Sequence, residues 1–268
     1  MTYNIKSGRH HPKGLDAVAR VIQSLAPDVL AVQEVDEGMA RTQARAQTDW
    51  LTRGLRMRGL FAPAMAYDGG LYGVALLSRW PIQAHERRPL FTPDYPDADT
   101  RPRHDSEPRV MLAATVACGG WTQPPPAARD MAIPREQVPI LNIIVTHLGL
   151  TPDQRAIQAQ ELAQFARTWH SELPTIIMGD FNCDPDAPEL APLREHFRDA
   201  CAVCGVQGDA RYTFPSGPFG ARTSNGWRGA IDYVWASPVI NILSARVVMD
   251  ETRASDHQPV IVEIEVDG

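Results

Sequence analysis

A chain of 268 residues, 44% hydrophobic and 22% charged, can bury one large core, which argues against a disordered chain and predicts a single domain over residues 1–268. The formal net charge of −6 hides a split: residues 1–112 carry 15 basic and 13 acidic groups, and residues 113–268 carry 11 and 19. No basic block of the kind that wraps long nucleic acid is present, and four cysteines are too few for a disulfide scaffold.

In chain order, residues 2–5 read as a short strand. Residues 15–26 read as a helix, because "LDAVARVIQSL" lays Leu15, Val18, Val21, Ile22 and Leu25 on one apolar stripe. "DVLAVQEV" at 28–35 reads as an inner strand ending in acid. A helix at 44–58 and strands at 59–65 and 72–79 follow. Residues 88–108, rich in proline and charge, read as a long loop before the strand "RVMLAATVAC". A second proline-rich excursion, "GGWTQPPPAARDMAIPREQ", precedes the strand "VPILNIIVTHLG". Such excursions can shape a substrate mouth or form an edge of the fold.

Residues 152–170 read as a helix. The buried run "LPTIIM" then leads to "GDFNCDPD", where Gly179 frees the backbone and Asp180 and Asn182, two apart on a strand end, point the same way. Short strands around 211–215 and longer ones at 230–237, 242–249 and 257–266 complete the pattern. Many strands interleaved with a few helices predict a layered α/β sandwich.

Five strand ends carry polar groups, namely Asn4, Glu34, His147, Asp180 with Asn182, and Asp232, and Asp256 with His257 sits just before the last strand. If these converge, they combine hard oxygen donors suited to Mg2+ or Mn2+ with two histidines for proton handling, a set fitted to metal-assisted hydrolysis rather than redox chemistry. The "CAVC" at 201–204 has metal or redox spacing, but without a second pair it reads as structural. His10 and His11 read as exposed loop residues. No apolar run reaches the roughly 20 residues of a membrane span and no leader precedes "TYNI", which predicts a cytoplasmic protein without integral membrane association, or an exported one if the start is set too late.

The segments "TYNI", "AVQEVD", "YGVALLSR", "VTHLG", "GDFN", "AIDYVWAS" and "SDHQPV" occur in the order found in the endonuclease/exonuclease/phosphatase superfamily, which the chain resembles over residues 2–266. The resemblance implies a four-layer sandwich, two packed mixed β-sheets flanked by helices, with phosphoester hydrolysis by metal-assisted water at one edge. It implies Glu34 as leading metal ligand, joined or positioned by Asn4 and Asp256. Asp180 would orient or deprotonate the attacking water and Asn182 would hold that water or a phosphate oxygen. His257, oriented by Asp232, would contact or protonate phosphate; His147 would bind phosphate or assist the leaving group, and Arg109 would bind phosphate.

Two departures stand out. Some relatives have an acid two positions after the first-strand asparagine, where this chain has Lys6, which favours one metal over two. In "RGAIDY", Gly229 and Ala230 separate Arg228 from Ile231, where many relatives place arginine directly before the apolar residue. The expected function is a metal-dependent phosphodiester hydrolase acting on nucleic acid or on a small or lipid phosphodiester, although the acidic second half does not favour nucleic acid. Alternatives are a phosphomonoesterase for sugar or inositol phosphates and a non-catalytic phosphate-binding protein. Trp121, Phe214, Phe219 and Trp227 are loop aromatics that could stack on a substrate. No obligate protein partner is indicated.

Overall fold

The computed structural model describes residues 1–93, 106–118, 138–217, 222–249 and 253–266. Twelve strands are described: β1 Thr2–Asn4, β2 Val29–Glu37, β3 Arg58–Tyr67, β4 Gly70–Ser78, β5 Ile82–Leu90, β6 Arg109–Ala117, β7 Ile140–His147, β8 Thr175–Asp180, β9 Arg198–Asp199, β10 Asp232–Ala236, β11 Asn241–Val247 and β12 Val260–Glu265. They form two six-stranded sheets, β11-β12-β1-β2-β4-β3 and β5-β6-β7-β8-β10-β9. Both are mixed, with β1–β2 and β7–β8 parallel and the other strand pairings antiparallel.

Side-chain alternation along the strands explains the layers. Ala31, Val74 and Leu76 of the first sheet meet Leu112, Val145, Met178 and Val234 of the second in the central core. The opposite face of the first sheet, with Tyr3, Leu30, Val32 and Ala75, packs on the stripe of α1 (Leu15–Leu25) and on Leu51 of α2 (Gln47–Leu55). The outer face of the second, with Ile144, Ile177 and Trp235, packs on Leu162 and Phe165 of α3 (Pro152–Thr168). α3 starts in a capping box, Thr151 accepting from the Gln154 N–H and Gln154 returning a bond to the cap. Two mixed sheets flanked by helices are the expected sandwich.

Two element readings need correction. The loop expected from residue 88 starts later, because residues 88–90 end a strand over 82–90, although "IQAHERRPL" lacks an apolar face: β5 is an edge whose side chains are mostly solvated, so backbone pairing to β6 rather than burial makes it a strand. Residues 211–215 are not a strand. A 3-10 turn ends at Arg211, and only a single bridge, Phe214 to Gly229, follows. Residues 94–105 and 119–137, the bulk of the two proline-rich excursions, lie outside the described residues.

The strand registers bring chemistry to one edge. His147 lies beside Asp180 on the parallel neighbour, and Asp180 lies beside Asp232 on the antiparallel one, so three polar residues stand in one row. All three share the alternation of residues facing the central core, and therefore look across at the other sheet. Asn4, ending β1, closes the gap: its Nδ2 donates to Asp180 Oδ2 at 2.9 Å. Gly179 serves this row through close approach, since a Cβ there would stand 2.2 Å from the Thr146 carbonyl oxygen.

Candidate active site

A cleft of about 910 Å3 opens over this row of strand ends. Glu34, Arg109, His147, Asp180, Asn182 and His257 line it, while Asn4 and Asp232 are buried behind them. Asp256 stands beside Lys6, which also faces the cleft. The nine residues singled out from the sequence thus gather at one edge of the sandwich.

Glu34 reaches the cleft through a break in alternation. Leu30 and Val32 point to the helices, and a regular strand would send Glu34 after them. A register shift between Val32 and Val35, with Glu34 at φ 57°, turns its carboxylate toward Asn4, whose Nδ2 donates to Glu34 Oε1 at 3.0 Å. Asn182 also arrives by a turn, not by strand alternation: β8 ends at Asp180 and Asn182 has φ 53°. Its N–H donates to Asp180 Oδ1 at 3.0 Å and its Nδ2 to the Leu148 carbonyl at 2.9 Å. Asparagine tolerates that left-handed conformation better than most residues.

Asp180 is the hub. Besides the Asn4 bond, its Oδ2 has His147 Nε2 at 3.5 Å and His257 Nε2 at 3.7 Å. Burial raises its pKa to about 7, helped by the Asp232 charge and opposed by His257, Asn4 and the Asn182 N–H. Burial acts against charging His257, but Asp232, whose Oδ2 lies 2.9 Å from His257 Nδ1, and then Asp180 outweigh it and lift His257 to about 10. Across neutral pH His257 is therefore a charged donor aimed at the cleft. Arg109 Nη1 lies 3.3 Å from His147 Nδ1. A guanidinium can only donate, so Nδ1 carries the lone pair and Nε2–H faces Asp180.

Two groupings of ligand atoms result. Asp180, Asp232 and His257 offer three atoms within 4.8 Å of one another, a potential divalent-metal site. Glu34 and Asp256 offer carboxylate oxygens with Lys6 Nζ between them, 3.8 Å from Glu34 Oε1 and 3.3 Å from Asp256 Oδ2.

Sequence reading passed over several lining residues. Tyr72, Arg41 and Arg155 also face the cleft, Arg41 paired with Asp36 and Arg155 with Glu189, and no short motif marks them. Arg228 pairs with Asp209 over the Tyr212 ring and is not among the cleft-lining residues. Phe214 and Trp227 form one wall, with ring centroids 5.5 Å apart and Phe214 4.9 Å from the His257 ring. Trp121 and Phe219 lie outside the described residues. Cys201 and Cys204 are free thiols that do not line the cleft, and burial pushes Cys201 up to about 11. Among the described residues, no helix is long and apolar enough to cross a membrane.

Solved structures share this fold from end to end. An endonuclease/exonuclease/phosphatase from Bacteroides vulgatus superposes with a TM-score of 0.70 at 18% identity, covering 99% of this chain and 97% of that one. A family protein from Leptotrichia buccalis gives 0.70 at 19%, covering 98% of each chain. A mannosyl-6-phosphatase from Bacteroides thetaiotaomicron gives 0.67 at 17%, also covering 98% of each. No curated protein sequence matches the chain. The acidic and histidine cluster in this fold is consistent with a metal-dependent phosphoesterase. The sequence model of the Endonuclease/Exonuclease/phosphatase family matches residues 1–257, nearly the whole chain, and the protein belongs to that family.

Proposed function

We propose that the protein is a divalent-metal-dependent phosphodiesterase in which water attacks phosphorus directly. The observation that carries this reading is the Asp232–His257–Asp180 arrangement: a charged imidazolium and a carboxylate with a pKa near 7 face one cleft 3.7 Å apart. The reaction needs both, one group to accept a proton from water and one to neutralise charge growing on phosphate.

Glu34 and Asp256, with Asn4 behind them, fit Mg2+ or Mn2+ better than the Asp180 cluster does. Both are carboxylates, the donors that hard cations prefer, and Glu34 lines the cleft with Asp256 on the other side of Lys6. His257 with a proton on both nitrogens has no lone pair to give, and Asp232 is already engaged by it. A bound divalent ion would supply charge neutralisation at the phosphate and lower the pKa of water. Asp180, held by Asn4 and the Asn182 N–H, would accept the proton of the attacking water. A bond forms between water oxygen and phosphorus as the ester P–O bond breaks. His257 would donate to a non-bridging oxygen, and Asn182, His147 and Arg109 would hold the phosphate.

The Phe214–Trp227 wall beside His257 supports a diester, because it offers a surface for a second, planar or apolar ester arm. The formal charge of −6 favours a small substrate over long nucleic acid. A second reading, a phosphomonoesterase, is favoured by the fold shared with a mannosyl-6-phosphatase.

The two readings separate in initial rates on bis(p-nitrophenyl) phosphate and p-nitrophenyl phosphate with Mg2+ or Mn2+. The diester is expected to show at least about tenfold higher kcat/KM, a discrimination that one occupied aromatic subsite can supply, and chelation should abolish turnover. Preference for the monoester would replace this reading with the second.

A further inference from the structure

Lys6 follows Asn4 by two positions, and its backbone is fixed independently of its side chain. Its N–H donates to Asn4 Oδ1 at 3.1 Å, and both Lys6 and Ser7 take left-handed φ values, 49° and 52°, which non-glycine residues avoid. The turn is tied down beyond them. Gln47 Nε2 donates to the Ser7 carbonyl at 2.8 Å and Ser7 Oγ to Asp36 Oδ1 at 3.0 Å. This turn directs the Lys6 side chain over the strand ends, where it stands between Glu34 and Asp256. The lysine side chain stays 40% exposed while its two partners are 16% and 17% exposed, so the ammonium is the most solvated of the three groups and can swing away while the carboxylates stay at the cleft floor.

We propose that Lys6 is a built-in counter-cation that competes with the divalent ion for Glu34 and Asp256 and so holds the metal affinity of the free protein low. This rests on the metal-dependent reading above and goes beyond it. Two largely buried carboxylates sharing one compact ammonium are partly neutralised without metal. An ion binding between them must displace the ammonium or sit beside a like charge, and either weakens its hold. A lone exposed pair would have little influence, but these oxygens are the ones assigned to the metal. Once displaced, the ammonium remains at the cleft, where a phosphate is its natural partner.

The test is Mn2+ binding measured by calorimetry on the metal-stripped full chain, comparing the wild type with Lys6→Met, Lys6→Gln and Glu34→Gln. Both Lys6 variants are expected to bind Mn2+ about tenfold more tightly, a change opposite to the one that structural damage would cause. Thermal unfolding in chelator confirms that each variant is folded, and the rise in Tm on adding Mn2+ should be larger in the Lys6 variants than in the wild type. Wild-type or weaker affinity in both Lys6 variants, with binding still lost in Glu34→Gln, overturns the counter-cation. Equal binding by the wild type and Glu34→Gln overturns the metal reading itself.

Discussion

Replacing Asp180 with asparagine is expected to lower kcat for diester hydrolysis about 10^3-fold, within the range for loss of a positioned general base, while leaving the protein folded. The substitution keeps the shape but removes the proton acceptor. Stability is set by two opposing effects. The folded protein carries Asp180 with a pKa of about 7 against a reference of 3.8, so the buried anion costs on the order of 4 kcal/mol at pH 8. Asparagine escapes that cost. However, Asp180 accepts from both the Asn182 N–H and Asn4 Nδ2, and an amide can satisfy only one of them, losing about 1–3 kcal/mol.

The balance keeps Tm at pH 8 within about 5 °C of the wild type. A raised carboxylate pKa contributes stability that is fully present below 3.8 and lost as pH rises toward about 7. Calorimetry should therefore show that this part of the wild-type pH dependence is missing in Asp180→Asn. An active Asp180→Asn enzyme would remove this residue from the chemistry.

The second large effect concerns His257. The pH profile of kcat/KM is expected to be bell-shaped, with an acid limb at or below about 7, where Asp180 protonates, and an alkaline limb near 10, where His257 loses its proton. A divalent ion beside Glu34 adds positive charge and pulls the acid limb down. His257→Gln should lose about 10^2- to 10^3-fold in kcat and, more diagnostically, the alkaline limb. Since the His257 pKa rises from 6.5 to about 10 on folding, its contribution to stability is complete below 6.5 and lost as pH rises toward 10. The wild type should therefore melt at progressively lower temperature across that window, and His257→Gln should not show this component. A retained alkaline limb in the variant would assign it to another group.

How far the site was readable depended on whether alternation governed the residue. His147, Asp180 and Asp232 follow period two from the core positions before or after them, so placing each strand also placed its polar end. Glu34 and Asn182 were identified as residues, but their geometry was not readable. A bulge turns the first and a left-handed turn the second, and both depend on contacts with Asn4 and Leu148 that are distant in sequence. The last three residues of edge strand β5, 88–90, read as the start of the long loop because proline and charge occupy that stretch. Lys6 was recognised only as a missing acid: the direction of its side chain follows from a strained turn anchored by Gln47, which no local pattern reveals.

The central claim, direct attack of water on phosphorus, is tested most directly by the stereochemical course at phosphorus. A phosphorothioate diester of single configuration would be hydrolysed in 18O-labelled water with Mn2+ present, and the configuration of the product determined. One displacement at phosphorus predicts inversion, with the label in the phosphorothioate monoester and none in the released alcohol. Retention would mean two displacements through a covalent phosphoryl-enzyme, and label in the alcohol would mean carbon–oxygen cleavage; either contradicts the roles given to Asp180 and His257.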